Sequence, residues 1–155
     1  MKVLLLTFLF LMPSFCILAS GNDTEMPKHE WSFGGITGTF DRASIQRGYK
    51  VYREVCSGCH SMSLLYYRDL IDIGFSAEEV KAISAEYTVL DGPNDEGEMF
   101  ERPARPSDYF VSPFTNEQEA RVSNNGAYPP DLSVITKAKK HGPDYIYNLL
   151  LGYTD

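Results

Sequence analysis

The run EVCSGCHSM, residues 54–62, places Cys56, Cys59 and His60 within five positions. Thiols and imidazoles bind metals, exchange disulfides or anchor cofactors. The whole chain has only three cysteines and three histidines, so this stretch concentrates them. Cys-x-x-Cys-His is the attachment motif of c-type haem. Each thiol adds to one porphyrin vinyl group, and the two-residue gap matches the separation of those vinyls. The histidine directly after the second cysteine lies under the iron and serves as axial ligand. Two other chemistries use the same side chains. A structural zinc needs four ligands, and His29 and His141 are the remaining soft partners, with no second Cys-x-x-Cys. A thioredoxin-like pair opens a helix after a strand, whereas here the motif closes one.

The helix before the motif is read from Ile45, Tyr49, Tyr52 and Cys56, which recur at helical spacing after a capping Asp41. Gly58 lets the chain turn inside the motif. A second helical stretch is expected over 63–71. In FSAEEVKAISAEY, Ser76 and Glu79 form a capping box, and Val80, Ile83 and Tyr87 share a face. Residues 91–113 break the pattern with prolines, glycines and charges, and are expected to be a long irregular connection. Thr115 and Gln118 suggest another capping box, with Asn125 and Gly126 ending that helix. Pro129 and Pro130 force an extended segment, after which Asp131 or Ser133 can start a helix. Asp144 is expected to cap an apolar helix, DYIYNLLLGY. Before the motif helix lie a polar, mobile lead-in over 23–30 and an irregular packed loop, WSFGGITGTF, over 31–40.

The 155 residues are 43% hydrophobic, enough for one domain to bury a core around itself or a cofactor. A formal charge of −7 argues against a nucleic-acid partner, and is compatible with steering a basic protein. Lys2, an apolar run over 3–12, Pro13 and small residues near Ala19 read as a secretory signal peptide over 1–20. The apolar run is short for a transmembrane helix. Phe15 before Cys16 argues against a lipoprotein site, and an Arg-rich mitochondrial presequence is lacking. Export to a bacterial periplasm is the expectation. Removing residues 1–20 leaves 13 basic and 21 acidic residues, net −8, and two cysteines. In an oxidising compartment those two serve a disulfide, a metal or a covalent cofactor.

Four segments together resemble cytochrome c1, the haem subunit of the cytochrome bc1 complex (ubiquinol–cytochrome-c reductase). They are RGYKVYREVCSGCHSM (47–62), DGPNDEGEMFERP (91–103), NNGAYPPDLS (124–133) and DYIYNLLLGY (144–153). The resemblance implies a mostly α fold, a c-type cytochrome domain with long irregular loops around one covalently bound haem c. It implies that Cys56 and Cys59 carry the haem, that His60 ligates iron, and that Pro130 and Leu132 wall the pocket. It further implies that Tyr145 supports the pocket, and that Lys139 stands where the family often has a propionate-facing arginine. The implied activity is one-electron transfer from a Rieske iron–sulfur protein to a soluble cytochrome c, with a cytochrome b subunit as neighbour. No bond chemistry belongs to the subunit itself. The acidic run Asp91, Asp95, Glu96, Glu98 and Glu101 is a candidate for attracting a basic acceptor.

The resemblance also implies parts beyond Asp155: the axial methionine that completes the family's haem iron, and a C-terminal membrane helix. Residues 21–155 are therefore expected to be an N-terminal piece of the haem domain, on the periplasmic side of a bacterial inner membrane. Met62 follows His60 too closely to reach the opposite haem face; Met26, His29, Met99 and His141 are the other sixth-ligand candidates. Two further readings remain open at this point. One is a free periplasmic c-type cytochrome or haem-ligand sensor with an open sixth site. The other is a haem-free binding module with a disulfide or zinc.

Overall fold

The computed structural model describes residues 25–153, so the signal peptide expected at 1–20 lies outside the described residues. Within them, short helices and one small sheet are joined by long loops. The mostly α reading stands. Helix α1 (Arg42–Glu54) starts where Asp41 accepts the Ala43 N–H at 3.0 Å and the Ser44 hydroxyl at 2.6 Å. That satisfies donors the first turn leaves open. At Val55 the helix tightens into a 3₁₀ turn, Cys56–Gly58.

The helix expected over 63–71 is only a 3₁₀ turn, Tyr67–Ile71. Its first residues have tertiary partners instead. The Ser63 N–H donates to Asp131, the Leu64 N–H donates to Ser133, and Tyr66 bridges to Tyr109. Helix α2 (Ala77–Ala85) has the Ser76–Glu79 capping box that its sequence signals, and it buries Val80 and Ile83.

Strands β1 (Thr88–Asp91) and β2 (Phe100–Pro103) pair antiparallel, with Val89 opposite Arg102. The stretch read as irregular thus begins with a hairpin. Its strands are too short to show alternation, and polar contacts fix it instead. Asn94 Oδ1 accepts the N–H groups of Glu96 at 3.0 Å and Glu98 at 2.8 Å. The Arg102 guanidinium grips Asp91 from within the hairpin and Asp108 beyond it.

Helix α3 (Glu117–Ser123) is capped by Asn116, one residue later than Thr115 suggests. Glu119, rather than Gln118, reaches back to the Thr115 N–H and hydroxyl. Asn125 and Gly126 end that helix with positive φ, as their types predict. Helix α4 (Ile135–Ala138) has no side-chain cap, because Asp131 and Ser133 are turned elsewhere. Helix α5 (Pro143–Leu151) starts at Gly142 with Pro143 in its first turn. Asp144 does not cap it; its carboxylate accepts from His29 and Trp31. Within the polar lead-in, the Pro27 carbonyl accepts from Asn148 and the His29 N–H donates to Asp144, so this exposed segment is tied to α5.

The core gathers Tyr67, Leu70, Val80, Ile83, Ala104 and Phe110, with Tyr49, Tyr52 and Tyr87 packed around it. Tyr67 lies 4.8 Å from Phe110 and 5.4 Å from Tyr87, ring centre to ring centre. Such pairs add about 0.5–1.5 kcal/mol beyond area burial. This aromatic block holds the inner face of α1 and so the end that delivers Cys56. Leu70→Ala is expected to cost about 2–5 kcal/mol, whereas Val122→Ala on the exposed side of α3 stays within roughly 0.5 kcal/mol. Urea unfolding of the two variants checks the contrast.

Candidate functional site

The Cys56–Cys59 turn is closed by its own backbone. The N–H groups of Cys59 and His60 both donate to the Cys56 carbonyl, at 3.1 and 2.8 Å. The Ser57 hydroxyl donates to the Arg53 carbonyl at 2.7 Å, tying the turn to α1. Both thiols are free; Cys56 is half-buried and Cys59 exposed. His60 Nδ1 lies 2.8 Å from the Pro130 carbonyl. A carbonyl only accepts, so Nδ1 is the donor, and in the neutral ring this leaves the lone pair on Nε2. The Tyr52 phenol donates to the His60 carbonyl at 3.2 Å. Burial pushes that phenol up to about 12, so it stays a donor at neutral pH.

The segment carrying Pro130 is stitched to the motif by Asp131. One carboxylate oxygen accepts the Ser61 hydroxyl at 2.9 Å, the Ser63 N–H at 2.8 Å and the Ser63 hydroxyl at 2.7 Å. The other accepts the Ser133 N–H at 2.7 Å. In return the Leu132 N–H donates to the Ser61 carbonyl at 2.8 Å. Burial alone raises Asp131, but hydrogen bonds from Ser133 and Ser63 outweigh it and hold the carboxyl well below its ordinary range. A carboxylate ionised at neutral pH, with donors on both oxygens, pins two segments that lie seventy residues apart in sequence.

Of the residues expected at the site, Cys56, Cys59, His60, Pro130 and Leu132 come together. Pro130 contributes its carbonyl and is exposed. Leu132 is half-buried and outside the main core. Lys139 and Tyr145 form a second pair, the ammonium 5.4 Å from the ring centre. Met62 packs against the core, and Met99 is exposed. Sequence reasoning missed Asp131 as a hub, and Ser61, Ser63 and Tyr52 as its companions. The available signal was a carboxylate directly after Pro-Pro and serines flanking the motif, both of which look like helix caps in isolation.

The donor set fits a c-type haem. It offers two free thiols one turn apart and an imidazole with Nδ1 tied and no protein partner on Nε2. Among the described residues no group of three or more His, Cys, Asp or Glu is placed to hold a metal ion, so a closed zinc site has no ligand set there. Helices and loops around a helix-terminal Cys-x-x-Cys-His turn define a c-type cytochrome domain. The chain belongs to the Cytochrome C1 family, whose sequence profile matches residues 31–155. Members of this family carry covalently bound haem c.

Relatives include "Cytochrome c1 1, heme protein, mitochondrial" of Arabidopsis thaliana, 53% identical over 92% of this chain and 48% of its own. "Cytochrome b-c1 complex catalytic subunit, mitochondrial" of Candida albicans is 44% identical over 93% of this chain and 50% of its own. "Cytochrome c1" of Rhodospirillum rubrum is 46% identical over 87% and 50%. The chain spans about half the length of the curated relatives it matches. No helix of the described residues is long and apolar enough to cross a membrane.

Asp131→Ala is expected to cost roughly 1.5–3 kcal/mol at neutral pH, since several donors lose a charged acceptor. Because the folded carboxyl sits below its ordinary value, this stabilisation is complete above about pH 4 and fades as pH falls further. Urea unfolding of wild type and variant at pH 7 and in acid checks the sign. The gap between them narrows in acid; an unchanged gap contradicts the charged hub.

Proposed function

We propose that this chain forms the proximal side of a haem c site and works in one-electron transfer within a cytochrome bc1-type complex. The observation that carries the reading is His60, with Nδ1 bound to the Pro130 carbonyl and Nε2 left free beside two free thiols. When bound, haem c supplies a one-electron iron couple. Cys56 and Cys59 would anchor it, and His60 Nε2 would bind its iron. The Pro130 carbonyl orients the His60 ring and makes it a stronger donor. Tyr52 and Asp131 hold the backbone on either side of the imidazole, so the ligand needs little rearrangement. Pro130 and Leu132 border the site, and in this reading the Lys139–Tyr145 pair belongs to it too; the Lys139 ammonium is suited to a carboxylate as a point charge rather than as a fork.

The electron donor in this reading is a Rieske iron–sulfur protein, the acceptor a soluble cytochrome c, and the neighbour a cytochrome b subunit. The hairpin tip supports a basic acceptor. Asp95, Glu96, Glu98 and Glu101 are exposed there, while Asp91 is occupied by Arg102. Relatives named for cytochrome c1 occur in a bacterium as well as in mitochondria. The N-terminal pattern then favours a signal peptide at 1–20, a haem domain over 21–155, and the periplasmic side of a bacterial inner membrane.

The direct test is haem staining of the chain after denaturing electrophoresis, on membranes and on purified protein. Wild type retains haem, and Cys56→Ser with Cys59→Ser together lose it. A stain that survives the double substitution, or is absent from wild type, contradicts the assignment. Reversing the tip with Asp95→Lys and Glu98→Lys is expected to slow reduction of a basic cytochrome c roughly tenfold or more at low salt. The difference disappears at high ionic strength. Stopped-flow mixing at several salt concentrations measures it.

A further inference from the structure

Residues 27–40 form a strap across the start of α1 and along α5. The Trp31 indole N–H donates to Asp144 at 2.7 Å, and the His29 N–H donates to the same oxygen at 3.1 Å. Asn148, one turn further along α5, donates to the Pro27 carbonyl at 2.8 Å. The rings of His29, Trp31 and Tyr147 form a triangle, with His29 4.6 Å from Trp31 and 4.7 Å from Tyr147 and those two 5.6 Å apart. At the other end, Phe33 and Phe40 line a cleft with Asp41 and Ile45 of α1.

Helix α5 needs such a tie, because it buries none of its side chains. At roughly 100° per residue, Asp144, Tyr147 and Asn148 share the strap face, and Tyr145 lies about a quarter turn away. Tyr145 in turn carries Lys139 over its ring. The connections close a ring: α1 to His60, His60 to Pro130, onward through α4 to α5, and back through the strap to α1.

The geometry points to the Trp31–Asp144 hydrogen bond as a positioning contact of the haem site, one that sets the rotation of α5 and thereby the placement of Tyr145 and Lys139. This rests on the haem reading given above. Breaking the bond lets α5 turn and admits water beside the site. Water favours the more highly charged oxidised iron, so the reduction potential falls.

The test uses the haem-loaded full chain with Trp31→Phe, which keeps the ring and loses the N–H, and with Asp144→Ala and Asp144→Asn. Asn keeps an acceptor oxygen. Trp31 is the only tryptophan, so its emission reports the strap directly. Asp144→Ala is expected to red-shift that emission. Trp31→Phe and Asp144→Ala are expected to lower the reduction potential and weaken the circular dichroism of the haem bands, while Asp144→Asn keeps both near wild type. Asn148→Ala, which removes the side-chain donor to the Pro27 and Asp144 carbonyls, substitutes if a variant does not fold, and shifts both in the same direction. A lower melting temperature with unchanged potential and haem dichroism overturns the inference and leaves the haem reading intact. A wild-type chain without covalent haem removes both.

Discussion

A single hydrogen bond, from His60 Nδ1 to the Pro130 carbonyl, is the contact on which the arrangement depends. It links the end of α1 to a segment seventy residues on, and it chooses the imidazole tautomer. Two consecutive prolines suit the acceptor side. Their fixed φ keeps the segment extended, and Pro130 has no N–H of its own to draw it into a helix. Asp131 then removes the remaining freedom by taking donors from Ser61, Ser63 and Ser133 on its two oxygens. Charge-assisted bonds of this kind are about twice as strong as neutral ones.

The rest of the fold supports the two ends of that bond. Tyr49 and Tyr52 seat α1 on the Tyr67–Phe110 block, and Tyr52 also holds the His60 carbonyl. Beyond Pro130, the chain is short of buried apolar contacts, and α4 and α5 have no buried residue. Polar ties take over there: the strap to Asp144 and Asn148, and Lys139 over Tyr145. The motif helix, which also has no fully buried residue, thus leans on aromatic rings, while the facing wall is held by polar ties. That division suits a site that must fix its ligand while leaving room for a large planar cofactor.

Much of this was legible in the sequence. Cys56, Cys59 and His60 announce themselves because their chemistry demands adjacency, and the Asp41 and Ser76 caps follow local rules that nothing overrides. The misreadings share one cause: side chains with good local roles had better tertiary ones. Asp131 and Asp144 look like helix caps, yet one binds Ser61 and Ser63 and the other binds Trp31. Residues 63–66 carry helix-compatible types, yet the Ser63 and Leu64 N–H groups reach Asp131 and Ser133. The hairpin escaped notice because Arg102 and Asn94, not alternating apolar residues, fix it. Periodicity reports burial, and here polar contacts between distant segments carry much of the structure.

The most direct measurement is nitrogen NMR of the full chain with ¹⁵N-labelled histidine, before and after haem loading. Nitrogen shifts distinguish a protonated ring nitrogen from one with a free lone pair. The structure predicts that the neutral His60 ring carries its proton on Nδ1 and its lone pair on Nε2 without haem, and that iron perturbs only the Nε2 site directly on loading. A neutral ring with its proton on Nε2, or haem loading that leaves the His60 signals unmoved, contradicts the assignment of His60 as a preset ligand held by Pro130.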